Sequence, residues 1–122
     1  MASISRDEQI RVLLLGKAYD TVRMLFPGKQ LTGSDYKEVF NVTRIEVVEY
    51  VKCHGFPPGA YSGRQGNCDG PYLIEEESTY VVYYQERGVR FDETRHETRE
   101  DADEVLIALL LGLSGTGLFG TV

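Results

Sequence analysis

The chain has no tryptophan, and only two cysteines, two histidines and two methionines among its 122 residues. Each shortage removes a class of protein. Two cysteines, Cys53 and Cys68, cannot make a disulfide framework, so they read as free thiols. The stretch CHG at 53–55 lacks the spacing of a metal motif. With only His54 and His96 to add, no metal and no other cofactor is expected. A hydrophobic run long enough for a bilayer is missing as well. The longest stretch, residues 105–113, falls well short of the ~20 residues a spanning helix needs. The segment IRVLLLG near the start follows acids rather than a basic leader. These features set the expectation of a cytoplasmic protein without membrane contact.

Catalytic signatures are also lacking. No Rossmann, Walker, zincin or EF-hand pattern occurs, and the glycine-rich stretch at 57–70 contains no G-K-[ST]. Cys53 and His54 are adjacent, so their side chains diverge at a helix end. Ser62 and Asp69 lie in the flexible stretch. Carboxylates are so frequent that pairs such as Glu86 and Glu93 arise by chance as readily as by catalytic design. The chain is therefore expected not to be an enzyme.

What is present is charge of one sign in one half. Residues 1–60 hold eight basic and seven acidic residues, for a net of +1. Residues 61–122 hold five basic and twelve acidic, for a net of −7. Neutralising phosphates needs a basic patch, so nucleic acid is not an expected partner. An acidic half suits a basic protein partner, whose encounter it would steer.

The length fits one domain, 1–122, with one modest core. Its first part, about 1–56, reads as helical. Ser5 and Glu8 form the spacing of a capping box before Ile10, Leu13 and Leu14, and Gly16 is placed to end that helix. Thr43 and Glu46 repeat the box before a stripe of Ile45, Val48 and Val51, broadened by Val47 and Tyr50 and ended by Gly55. A short turn is expected over 36–40. Between these, Val22, Met24 and Phe26 alternate as in a strand, whereas Tyr19, Val22 and Phe26 fit one face of a helical turn. Both readings stay open up to Pro27-Gly28. A helix-turn-helix is disfavoured, because Glu46 and Glu49 would meet phosphate.

Residues 57–70 form a loop rich in glycine and proline. Over 71–113 the pattern becomes β, β, β, α. PYLIEEE, STYVVYYQE and VRFDETRHE read as an antiparallel meander, with Arg87-Gly88 as its second turn. The middle strand sets Tyr80, Val82 and Tyr84 on one face and Val81 and Tyr83 on the other. Thr98 then caps a helix whose stripe is Ala102, Val105, Leu106, Leu109, Leu110 and Leu113. Residues 114–122 are an irregular tail in which Leu118 and Phe119 either cover the core or stay loose. The fold class is α+β: N-terminal helices plus a short three-stranded antiparallel meander packed by a C-terminal helix.

The order of an acidic strand, YVVYYQERG, VRFDETRHE and TREDADEVLIALL resembles small acidic immunity proteins of bacterial polymorphic and contact-delivered toxin systems. The pattern Y-x-V-x-Y-x-E-R-G falls on Tyr80, Val82, Tyr84, Glu86, Arg87 and Gly88. The likeness spans residues 72–113, about a third of the chain. It implies a cytoplasmic protein that binds a cognate toxin and occludes its basic active-site cleft. Tyr80, Tyr84, Glu86 and Arg87 become interface candidates by that implication. The surrounding tyrosine and carboxylates join them: Tyr72, Glu75, Glu76, Glu77, Asp92 and Glu93. Tyrosine offers rigid amphipathic contact area, and carboxylates match a basic partner. Two other readings are carried: a structural or regulatory adaptor in a bacterial or phage complex, and a small enzyme or ligand-binding domain. No oligomeric state follows from the sequence.

Overall fold

The computed structural model describes residues 3–119, which form five helices and a three-stranded antiparallel sheet. The class is α+β, and the C-terminal helix packs on the sheet. The helices are α1 (Arg6–Leu14), α2 (Ala18–Leu25), α3 (Gly33–Val39), α4 (Arg44–His54) and α5 (Arg99–Leu113). The strands are β1 (Gly70–Glu76), β2 (Thr79–Glu86) and β3 (Val89–His96), in sheet order β1-β2-β3.

Three helices begin where their caps are written. The Ser5 hydroxyl accepts from the Glu8 amide at 3.1 Å. Thr43 accepts from the Glu46 amide at 3.2 Å, and the Glu46 carboxylate accepts from the Thr43 amide at 3.0 Å. Thr98 accepts from the Asp101 amide at 3.1 Å. Each satisfies donors that the first helical turn leaves free. Gly55 ends α4 at φ 78°, a conformation open to glycine without steric cost. The open choice over 18–26 resolves as helix: Ala18 and Val22, one turn apart, are both buried. The turn expected over 36–40 is the end of α3, which starts earlier. There the Asp35 carboxylate accepts from the Thr32 amide and the Lys29 ammonium, each at 2.8 Å.

Helices α1 and α4 are tied together at their N-terminal ends. Arg6 grips the Glu46 carboxylate through two nitrogens at 2.7 and 2.6 Å. That pairing, with the Thr43 amide, holds the Glu46 carboxyl down at about 2. Buried Gln9 accepts from the Asn41 amide at 2.9 Å and donates to the Ile4 carbonyl at 3.3 Å. The main core lies between these helices and one face of the sheet. Leu13, Leu14, Val47, Leu106 and Ile107 meet Leu73 and Val82 there. Tail residues Leu118 and Phe119 pack against it half-buried, as a cover.

Two expected stripes are shifted. Ile45 is exposed, because α4 turns Val47 and Val51 inward. Leu113 is exposed, while Ile107 and Leu111 are buried. Helix α5 packs against α1 and α4 as well as the sheet, so its buried surface is wider than one stripe.

The other face of the sheet carries a second core of Tyr72, Ile74, Val81 and Tyr83. The loop before β1 covers one end of it. The Tyr72 hydroxyl donates to the Cys68 carbonyl at 2.6 Å, and Gln85 donates to the Gly66 carbonyl at 2.8 Å. Charged side chains cover the other end. The Arg90 guanidinium lies 4.3 Å from the centroid of the Tyr83 ring, which stacks on Tyr72 with centroids 4.9 Å apart. The Tyr83 hydroxyl is buried without a hydrogen-bond partner.

The two tyrosines should therefore respond oppositely to loss of the hydroxyl. Tyr83→Phe removes an unpaired buried donor and should gain about 1 kcal/mol; Tyr72→Phe abandons the Cys68 carbonyl and should lose about 1 kcal/mol. Urea denaturation of both variants measures this. Equal losses would mean that the Tyr83 hydroxyl has a partner.

Candidate functional site

A groove of about 560 Å³ lies between β3, α5 and the start of α4. Apolar side chains make its floor: Val48 from α4, Val82 from β2, and Val105, Ala108 and Leu109 from α5. Arg44, Asp92, Glu93, Thr94 and Glu104 stand around it. The groove exists because one helix cannot cover three strands. Leu73 of β1 and Val82 of β2 are buried under the helices, whereas β3 has no buried residue along its length.

A bulge shapes the rim. Val82 pairs with Thr94, but Tyr84 pairs with Phe91, so Asp92 and Glu93 together face Tyr83. Asp92 takes φ 55°, the left-handed region that aspartate tolerates better than most residues. Glu93 is paired with Arg90 at 3.1 Å and Arg95 at 3.6 Å. Asp92 and Glu104 take part in no ion pair among the described residues.

The ten residues proposed as a contact surface divide into groups. Asp92 and Glu93 line the groove, but the Glu93 carboxylate is held by Arg90 and Arg95, which cover the opposite face. Tyr84 is half-buried on the same strand face as Val82, opposite Phe91. Tyr80 is half-buried and packs on the main core, opposite exposed Glu75. Glu77 is exposed in the β1–β2 turn at φ 53°. Glu86 and Arg87 are exposed at the β2–β3 turn, where the Arg87 amide donates to Asp69 at 2.9 Å. Tyr72 and Glu76 belong to the opposite face. Tyr72 is fully buried, so its ring offers no contact area. Glu76 is held by Arg90 at 3.1 Å and Arg95 at 2.7 Å.

Sequence reasoning missed Arg44, Val48, Thr94, Glu104, Val105, Ala108 and Leu109 as parts of one site. Val105 and Leu109 carried a signal, but it read as core. Nothing in the sequence says that α5 leaves β3 without a buried residue.

Two smaller depressions, of about 370 Å³ each, hold polar groups already satisfied or dispersed. In one, Arg99 donates to Tyr61 at 2.6 Å and Asp103 at 2.8 Å. In the other, His54 packs on Tyr50 with ring centroids 4.6 Å apart, beside exposed Cys53. Among the described residues no group of three or more His, Cys, Asp or Glu could hold a metal ion, and no helix is long and apolar enough to cross a membrane.

No protein-family model, no curated protein and no solved structure matches this chain. The groove must speak through its own chemistry: an apolar floor, open to solvent, with unpaired carboxylates at the rim.

The ion cluster on the opposite face makes a pH prediction. Hydrogen bonds from Arg90 and then Arg95 lower the Glu76 carboxyl below its usual 4.5. A lowered acid stabilises the fold above its unfolded pKa, and that contribution fades as pH falls through the folded value. The stability gap between the native protein and Glu76→Gln should be widest above pH 4.5 and close on acidification. A gap that stays constant down to the folded value would show that Glu76 is not coupled to the arginines.

Proposed function

We propose that this is a non-catalytic binding protein of the immunity type, which neutralises a toxin by covering its basic active-site cleft. The observation that carries the reading is the apolar groove with Asp92 and Glu104 left unpaired beside it. Carboxylates that no internal cation satisfies are free to meet external ones. Exposed Glu75, Glu77 and Glu86 extend the acidic field around the sheet. A toxin acting on RNA, DNA or a nucleotide has a cationic cleft, and an acidic surface competes with such a substrate for it. In that role the protein would act in the cytoplasm.

The sheet edges favour the groove as the contact. The outer edge of β1 is partly occupied, since the Ser62 amide donates to the Pro71 carbonyl at 2.9 Å and the Leu73 amide to the Ser62 carbonyl at 3.0 Å. The outer edge of β3 is open, but the bulge at Asp92 and the charges of Arg90, Glu93 and Arg95 guard it against an added strand. A partner then gains more by covering side chains than by extending the ladder.

Capture from cells with the tagged protein, at low and high salt, tests the reading. One stoichiometric basic protein is expected, released as salt rises, with its toxic activity inhibited in the complex. Glu86→Lys with Glu104→Lys should slow association at least about tenfold without altering the fold, because both side chains are exposed. An acidic partner, or catalytic turnover by the protein itself, would contradict the proposal.

A further inference from the structure

We infer that the groove is a receptor for a basic amphipathic α-helix of the partner, laid over β3 alongside α5; this rests on the reading of the protein as a binding module and specifies what it grips. Space argues first. Neighbouring strands lie about 4.8 Å apart, and a helix with its side chains is about 10 Å wide. With α5 packed on β1 and β2, the uncovered strip above β3 is about one strand wide, so a helix laid there would rest partly on β3 and partly on the flank of α5. A second helix there would complete the layer that α5 begins.

The apolar floor is longer than the cavity. Val105 and Leu109 line the groove, and Leu113 is the next residue on that row of α5, with its side chain exposed. On the sheet, Val82 is in the floor and Tyr84 follows it on the same face, paired with exposed Phe91. The strip along α5 from Val105 to Leu113 extends about 12 Å, two turns of helix. That length suits apolar anchors at i, i+4 and i+7 of a docked helix. A compact small molecule would leave the Phe91 and Leu113 end uncovered.

Charge selects the helix. Among the described residues Asp92 and Glu104 border the strip unpaired, and Arg44 is the one cation lining the groove. A helix with lysine or arginine flanking its apolar stripe would find complementary charge on the rim. A second copy of this chain is a poorer occupant, since it brings a net charge of −6. An extended strand is disfavoured by the bulge at Asp92.

The test uses two model helices of equal length, about 18 residues each, long enough for measurable helicity. Both present the same leucine stripe; one has lysine on its polar face and the other glutamate. They are titrated into the isotope-labelled protein and followed by amide NMR. The lysine helix should bind, with shifts gathered at Val48, Val82, Thr94, Val105 and Leu109, and the glutamate helix should not. Ala108→Trp fills the floor without changing charge and should weaken binding at least about tenfold. Asp92→Asn with Glu104→Gln keeps the shape, and should weaken binding severalfold at low salt and less at high salt.

Failure of the lysine helix to bind would overturn the inference. So would binding that Ala108→Trp leaves intact in a variant with a native amide spectrum, which marks diffuse attraction to an acidic surface. A concentration-dependent dimer that buries the groove would overturn it in favour of a second copy. The two proposals fail separately. A captured toxin that still binds Ala108→Trp leaves the immunity reading standing and removes the groove. Groove-dependent helix binding, with a cellular partner that is no toxin, does the reverse.

Discussion

A three-stranded sheet has two faces, and here the helices lie on only one of them. Most of the structure answers that constraint. The uncovered face still carries Tyr72, Ile74, Val81 and Tyr83, too much apolar area to leave in water. The chain seals it without a second layer of helices. At one end the loop before β1 folds back, and its carbonyls are satisfied by Tyr72 and Gln85. At the other, Arg90 lies over the Tyr83 ring while Glu76 and Glu93 hold its guanidinium. The arginine thereby covers the ring with its flat face and keeps its charge paired. The unpaired Tyr83 hydroxyl marks where the seal is imperfect.

The same shortage of cover produces the groove on the helical face. Helix α5 must serve α1, α4 and the sheet together, so it buries Leu106, Ile107, Leu110 and Leu111 as well as Ala102 and Leu109. Seated there, it leaves β3 exposed, and Phe91 and Leu113 remain in solvent near the open end. Completing the fold and leaving the groove open are thus one event. The cations of this half also divide unevenly. Arg90, Arg95 and Arg99 are engaged in ion pairs, whereas Asp92 and Glu104 have none among the described residues. The excess of acid in the second half of the sequence therefore reaches the surface where the apolar floor is open.

Local signals were legible where one residue type decides the conformation. Ser5, Thr43 and Thr98 mark three helix starts, because a side-chain oxygen there satisfies a free amide. The alternation of Tyr80 to Tyr84 marks β2, and Arg87-Gly88 its turn. Residues 19–26 were ambiguous, since over eight residues the two periods share Val22 and Phe26; burial of Ala18 and Val22, one turn apart, marks the helix. Legibility fails where the answer depends on what lies opposite. Ile45 and Leu113 match their stripes and are exposed, because no element reaches them. Tyr72 reads as an interface tyrosine and is buried, because the loop and Tyr83 cover it. Glu76 reads as a contact residue and instead pairs with Arg90 and Arg95 beside the Tyr83 ring. Asp92 and Glu93 were singled out in the sequence and line the groove, but the groove itself is a tertiary product of several elements and has no local signature.

The most direct test of the central claim, that the strip over β3 is where the partner lies, is a photocrosslink made in the cell. A benzophenone side chain in place of Phe91 adds its second ring to a side chain that is already exposed, on β3 next to the groove-lining Asp92. The same group in place of Met24, exposed on α2, provides the reference. The account predicts one basic protein joined through position 91, absent from position 24, with the joined residue in a helical segment of that protein. Equal crosslinking from both positions, or a partner joined only through position 24, would contradict it.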